Sequence, residues 1–233
     1  MRPLTDTSPK PLLQAGGKAL IEWQIEALVA AGFTDIVINH AWLGQQFETI
    51  LGNGCRFGAT IHYSAEQQAL ETAGGIRHAL PLLADGQNTS PVFLAVSGDI
   101  FTHYDYRKLR TQGAKMAQAT HPCIHLVMVP NPPFHPEGDF SLDNQGKLSL
   151  DGPSRLTFGN IGLYDIRMFE TLPPGTRITM TPYYRATIAA GHATGEYFAG
   201  VWENIGTPAQ LATLDAWLQT QQQATEKPAS PYR

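Results

Sequence analysis

Apolar and polar positions change period along this chain, and each change marks an element. Leu20, Ile21, Trp23, Ile25, Leu28 and Val29 recur at helical spacing, and Gly32 stands where a C-cap belongs. The pattern predicts a helix over residues 18–31. Residues 34–39 form a compact apolar run and read as a buried strand. Helix then strand recurs twice: 42–51 before 60–63, and 72–83 before 92–96. That alternation predicts a mostly parallel sheet with crossover helices. Residues 1–17, rich in Pro, Ser, Thr and Gly, read as an extended loop.

Later the pattern turns antiparallel. Residues 123–129 are apolar and β-rich until Asn131-Pro132-Pro133 breaks them. Residues 140–142 and 147–150 flank Asp143-Asn144-Gln145-Gly146, which predicts a hairpin. Further strands are expected at 157–164 and 198–201, and helices at 181–190 and 207–222. The reading is one α/β domain over 1–225 with a small antiparallel insertion, followed by a tail at 226–233. On such sheets ligands gather at the carboxyl ends of strands.

Composition narrows the classes. The 233 residues carry a formal charge of −4 without a basic run, which gives no support for a nucleic-acid surface. No apolar stretch reaches the roughly 20 residues that span a bilayer, and the first residues lack a signal-peptide core. Cys55 and Cys123 are too few for a disulfide framework. They read as buried free thiols in a reducing compartment, so a cytoplasmic location is expected. The eight histidines show no zinc-binding spacing. Trp23, Trp42, Trp202 and Trp217 read as core.

Three stretches carry candidate chemistry. In Ser8-Pro9-Lys10-Pro11-Leu12, two prolines stiffen the backbone around one lysine, which makes Lys10 either a fixed charge for a phosphate or a solvated loop residue. In Glu71-Thr72-Ala73-Gly74-Gly75, small residues open a helix, either for close approach of a ligand or for packing. In Val96-Ser97-Gly98-Asp99, a carboxylate follows a buried strand, as an Mg²⁺ ligand or as a turn residue.

Together these stretches, with Trp202-Glu203-Asn204-Ile205-Gly206-Thr207, resemble the nucleotide-sugar pyrophosphorylase family in order and spacing. Asn39-His40-Ala41-Trp42-Leu43-Gly44-Gln45-Gln46 and Gly138-Asp139-Phe140 are most similar to its N-acetylmuramate 1-phosphate uridylyltransferases. The resemblance implies a Rossmann-like nucleotidyltransferase fold with a mixed, mostly parallel sheet. It implies a reaction in which a sugar 1-phosphate attacks UTP with Mg²⁺ as cofactor. By the same carry-over, Lys10 and Asp99 are catalytic and Lys10 contacts phosphates. Glu66, Thr72, Ala73, Gly74 and Gly75 hold the nucleotide, Asp139 and Asn160 face the sugar, and Asp99 with Asn204 hold metal. Arg155 is a conceivable partner for a lactyl carboxylate.

Two features depart from the family. Its opening strand and G-x-G-x-R loop match nothing in this sequence, which starts at a segment expected to follow them; an internal start or a true short form would explain this. Asn204 stands where the family has a second metal-binding Asp, and an amide brings no negative charge. A non-catalytic nucleotide- or sugar-binding protein of the same fold is therefore a rival reading. So are a mannose-1-phosphate guanylyltransferase and a glucose-1-phosphate nucleotidyltransferase. A monomer or weak homodimer is expected.

Overall fold

The computed structural model describes residues 1–84 and 90–226. The chain opens in two turns of 3-10 helix, Leu4–Asp6 and Lys10–Leu12, and not in an extended loop. Pro9 and Pro11 fix φ, and the Leu12 and Leu13 amides then close onto the Pro9 and Lys10 carbonyls at 2.9 and 3.1 Å. A short hairpin follows, β1 (Gln14–Ala15) and β2 (Lys18–Ala19), turned by Gly16 and Gly17 at φ +63° and +83°. Helix α1 (Leu20–Ala30) starts where the Glu22 carboxylate accepts the Ala19 N–H at 2.6 Å, satisfying one of the amides a helix start leaves free.

The expected alternation is then met: β3 (Asp35–His40), α2 (Gln45–Leu51), β4 (Thr60–Ala65), α3 (Glu71–Ala84) and β5 (Val92–Val96). After it come β6 (Ile100–Thr102) and α4 (Arg107–Met116), which the apolar pattern did not predict. The second half holds β7 (Ile124–Val129), the hairpin of β8 (Phe140–Leu142) and β9 (Leu148–Ser149), and the long β10 (Arg155–Asp165). It ends with α5 (Thr181–Ala189), β11 (Ala193–Tyr197), β12 (Trp202–Asn204) and α6 (Pro208–Glu226). Residues 198–201 are not a strand; they link β11 to β12. Residues 227–233 of the expected tail lie outside the described residues.

The main sheet runs β11-β7-β10-β8-β9, with β5 on the same strand β10. Among the described residues, parallel register is confined to β7/β11 and β3/β4; the other pairings are antiparallel. Strand β7 is buried along its whole length, as a central strand covered on both faces must be. Its Ile124, Leu126 and Met128 pack with Ala73, Ile76 and Leu80 of α3 and Ile188 of α5. Its Val127 points the other way, into a cluster with Leu109 and Met116 of α4 and Ile161 and Leu163 of β10. The period-two alternation of one strand thus feeds two cores.

Two smaller clusters complete the fold. One joins α1, β3, α2 and β4 through Ile25, Ile38, Phe47, Leu51 and Ile61. The other docks α6 by Leu211, Leu214 and Leu218 onto Leu13, Leu20 and Phe101; each such side chain contributes about 1.5–3 kcal/mol by burial. Trp23 and Trp217 pack against the second of these, and Trp202 against the cluster of α4 and β10. Trp42 does not, and is 65% exposed. Both cysteines are free, but Cys55 is exposed and Cys123 half-buried. Among the described residues, no helix is long and apolar enough to cross a membrane.

Candidate functional site

The sequence-predicted residues fall into three groups, two past the carboxyl ends of β5 and β4 and one at the start of β8 and β10. The first joins the start of the chain to the β5–β6 turn. Lys10 Nζ lies 2.7 Å from Asp99 Oδ2, with both side chains 27% exposed. Gly98 permits this approach: a Cβ there would stand 3.2 Å from Pro11 Cβ and 3.3 Å from Ile21 Cδ1. The Asp99 carbonyl accepts the Ile205 N–H at 3.2 Å. In the β6/β12 register Asn204 sits opposite Ile100, one residue from Asp99. Asn204 shares a strand face with Trp202 and not with exposed Glu203.

Asn160 closes this group from the sheet side. Its φ of +56° falls where the β10/β7 register shifts between Phe158 and Gly162. Asparagine is one of the few side chains that visits this left-handed region. The bulge turns its carbonyl to the Ser97 N–H at 3.1 Å, and the Trp202 indole donates to the neighbouring Gly159 carbonyl at 2.8 Å. Asp99, Asn160, Trp202 and Asn204 are thus linked through bonds that they or their chain neighbours make.

The second group surrounds the start of α3. Glu66 Oε2 accepts the Leu70 N–H at 2.8 Å. Gly75 lies directly beneath it: an added Cβ would come within 2.6 Å of Glu66 Oε1 and 2.9 Å of Asn39 Nδ2. The Ala73 and Gly74 amides both donate to the Ile178 carbonyl, at 3.0 and 3.1 Å. These amides are thus used internally and Gly75 is buried beneath Glu66, so the surface left for a ligand comes from half-buried Glu66 and exposed Thr72. Glu71, at φ +61°, pairs with Arg177.

The third group is a cavity of about 230 Å³ lined by Gly138, Asp139, Phe140, Arg155, Phe158, Thr181, Tyr184 and Arg185. Asp139 Oδ2 accepts the Phe158 N–H at 2.8 Å and its Oδ1 lies 3.2 Å from His135 Nε2. The Tyr184 hydroxyl shares a hydrogen bond with Tyr164 at 2.8 Å. Burial, with the Asp139 charge adding, pushes it up to about 12, so it stays neutral. Tyr184 and Arg185 have no signal in the sequence beyond their place in a short helix. A larger hollow beside Thr34, Asp35, Cys55 and His62 opens at the amino ends of β3 and β4 and holds none of the predicted residues.

Among the described residues, no three His, Cys, Asp or Glu side chains cluster as a metal cage. Asp99 is a single carboxylate with Asn204 near it in the β6/β12 register, a set too small to cage a metal alone but suited to a divalent cation whose other ligands come from elsewhere. Asp99 Oδ2 is held by Lys10, which leaves its second oxygen for such an ion. The residues fit a cation shared with substrate.

Comparison with known proteins identifies the family. The nucleotidyl transferase family profile matches residues 1–135. An N-acetylmuramate alpha-1-phosphate uridylyltransferase from Neisseria meningitidis is 43% identical over 93% of this chain and 92% of its own length. Its counterpart from Caulobacter vibrioides is 30% identical over 94% and 91%. Among solved structures, a Bacillus anthracis protein assigned as a glucose-1-phosphate thymidylyltransferase superposes with a TM-score of 0.78 at 19% identity. The match covers 94% of this chain and 90% of that one, and it shows the fold.

Proposed function

The chain belongs to the nucleotidyl transferase family, and from that premise we propose that it transfers UMP from UTP to N-acetylmuramate α-1-phosphate. A phosphate oxygen of the sugar 1-phosphate attacks the α-phosphorus of UTP. The new P–O bond forms as the α–β phosphoanhydride bond breaks, giving UDP-N-acetylmuramate and pyrophosphate. The near end-to-end similarity to the Neisseria relative carries this reading.

In it the protein contributes position and charge. Lys10, fixed between two prolines and 2.7 Å from Asp99, offers a cation to the triphosphate. Asp99 and the Asn204 amide oxygen hold a divalent cation, expected to be Mg²⁺, which when bound neutralises phosphate charge. Glu66 and the Thr72–Gly75 turn receive the uridine. Asn160 and Asp139 orient the sugar, with its 1-phosphate toward Asp99. The expected setting is the cytoplasm, in recycling of peptidoglycan sugars.

The test is ³¹P NMR of the protein with UTP, N-acetylmuramate 1-phosphate and Mg²⁺. Diphosphate-diester and pyrophosphate resonances growing together support the reading. The neutral Asn204 favours the rival, a binding protein without turnover; thermal stabilisation by UTP with no product would establish that instead.

A further inference from the structure

Resting on that reading, we infer that Arg185 and Arg155 form an anion-reading fork that selects a sugar phosphate bearing a carboxylate. Both arginines line the 230 Å³ cavity along β10. Two of the cavity's other polar side chains, Asp139 and Tyr184, are already engaged. Asp139 is held by the Phe158 N–H and faces His135. The Tyr184 hydroxyl is bonded to Tyr164. Arg155 gives one N–H to the Leu150 carbonyl at 3.0 Å, which braces the side chain and leaves most of its donors free. Arg185, on α5, makes no ion pair among the described residues. Two guanidinium groups against one carboxylate leave the cavity with a net positive charge. A planar fork of donors matches a carboxylate better than it matches a neutral hydroxyl.

Placement decides which anion this is. The reacting phosphate belongs at the Lys10–Asp99 end, which Asn160 reaches through its carbonyl bond to Ser97. Phe158, in the cavity wall, lies two positions back along β10 from Asn160, about 7 Å at the rise of a strand. Arg155 lies farther still along the same strand. A sugar ring set at Asn160 with its phosphate toward Asp99 thus directs its far substituents into the cavity. N-acetylmuramate differs from N-acetylglucosamine by one such substituent, a lactyl ether ending in a carboxylate. The fork reads that group and not the phosphate.

The experiment compares kcat/KM for N-acetylmuramate 1-phosphate and N-acetylglucosamine 1-phosphate, with UTP, in the wild-type protein, Arg185→Ala, Arg155→Ala and Arg185→Lys. The readout is the ratio of the two values, which a merely structural loss leaves unchanged. Each alanine variant is expected to lower the ratio about 10- to 100-fold, the usual weight of a charged hydrogen bond. Arg185→Lys keeps the charge without the fork and should recover part of it. If wild type prefers the lactyl sugar and both alanine variants keep that preference, the fork is refuted while the proposed function stands. Equal losses on both sugars would show that the arginines do not read the lactyl group and refute the fork likewise. If wild type does not prefer the lactyl sugar, the proposed substrate itself is wrong and the fork falls with it.

Discussion

Replacing Lys10 by Met removes the one cation that the fold holds against Asp99, and two effects of different size should separate. At 2.7 Å the gross attraction of the pair is about 6 kcal/mol for an effective dielectric near 20. Both side chains are 27% exposed, so solvation and side-chain entropy offset most of it. A net loss of about 1 kcal/mol of stability or less is expected, which lowers Tm by roughly 2–4 °C in a chain of this size. The kinetic effect should be larger. A fixed donor aimed at charge that develops in the transition state is worth about 3–4 kcal/mol, or 10²–10³ in kcat. Pyrophosphate release, followed with a coupled phosphatase, measures the rate, and differential scanning fluorimetry measures Tm. Asp99→Asn and the double variant complete a cycle. If Lys10 served only to pair Asp99, the double variant would be no worse than Asp99→Asn alone. A Lys10→Met rate within threefold of wild type, or a loss reversed in the double variant, would refute the phosphate role.

Asn204→Asp should return a carboxylate beside Asp99 and lower the Mg²⁺ concentration for half-maximal turnover several-fold; an unchanged metal titration would remove Asn204 from the cation site. Gly74→Ala would drive a Cβ onto the Thr176 carbonyl oxygen and to 3.2 Å from the Ile178 amide, both backbone. Such overpacking costs about 1–3 kcal/mol, and Tm should fall accordingly. His125 is buried, its Nε2 lacks a partner, and burial holds its pKa below the usual imidazole value. The unfolded chain then binds a proton that the native state refuses. Stability should be full above the unfolded pKa of about 6.5 and decline as pH falls below it. Urea unfolding at pH 7.5 and 5.5 should show a smaller acid loss for His125→Asn than for wild type.

The early helix–strand alternation was legible because α1 and α3 carry dense apolar faces and the short α2 sets Phe47 and Leu51 one turn apart. Helix α4 was not, because Leu109 and Met116 are its only buried side chains and the rest of Arg107–Met116 is polar or small. Strand β11 was displaced in the reading because its buried positions are Ala193 and Gly195, which give no apolar signal; the aromatic Phe198 beyond them drew the prediction forward. Strand β6 has only three residues, and its partner β12 lies far along the chain. Periodicity cannot show such pairings. Lys10, Asp99 and Asn204 were linked through a resemblance in motif order, and the fold brings Lys10 and Asp99 into contact with Asn204 alongside. The Ile178 carbonyl that occupies the Ala73 and Gly74 amides comes from a loop with no pattern of its own. Arg185 was missed for a related reason: an exposed arginine on a short helix looks like any solvated charge until its cavity is known.

The most direct test is the rate of nucleotide-sugar formation across a small matrix. N-acetylmuramate, N-acetylglucosamine, glucose and mannose 1-phosphates would each be paired with UTP, GTP and dTTP under Mg²⁺, with products identified by mass. N-acetylmuramate 1-phosphate with UTP is expected to have the highest kcat/KM. A higher value for mannose 1-phosphate with GTP, or no product from any pair, would contradict it.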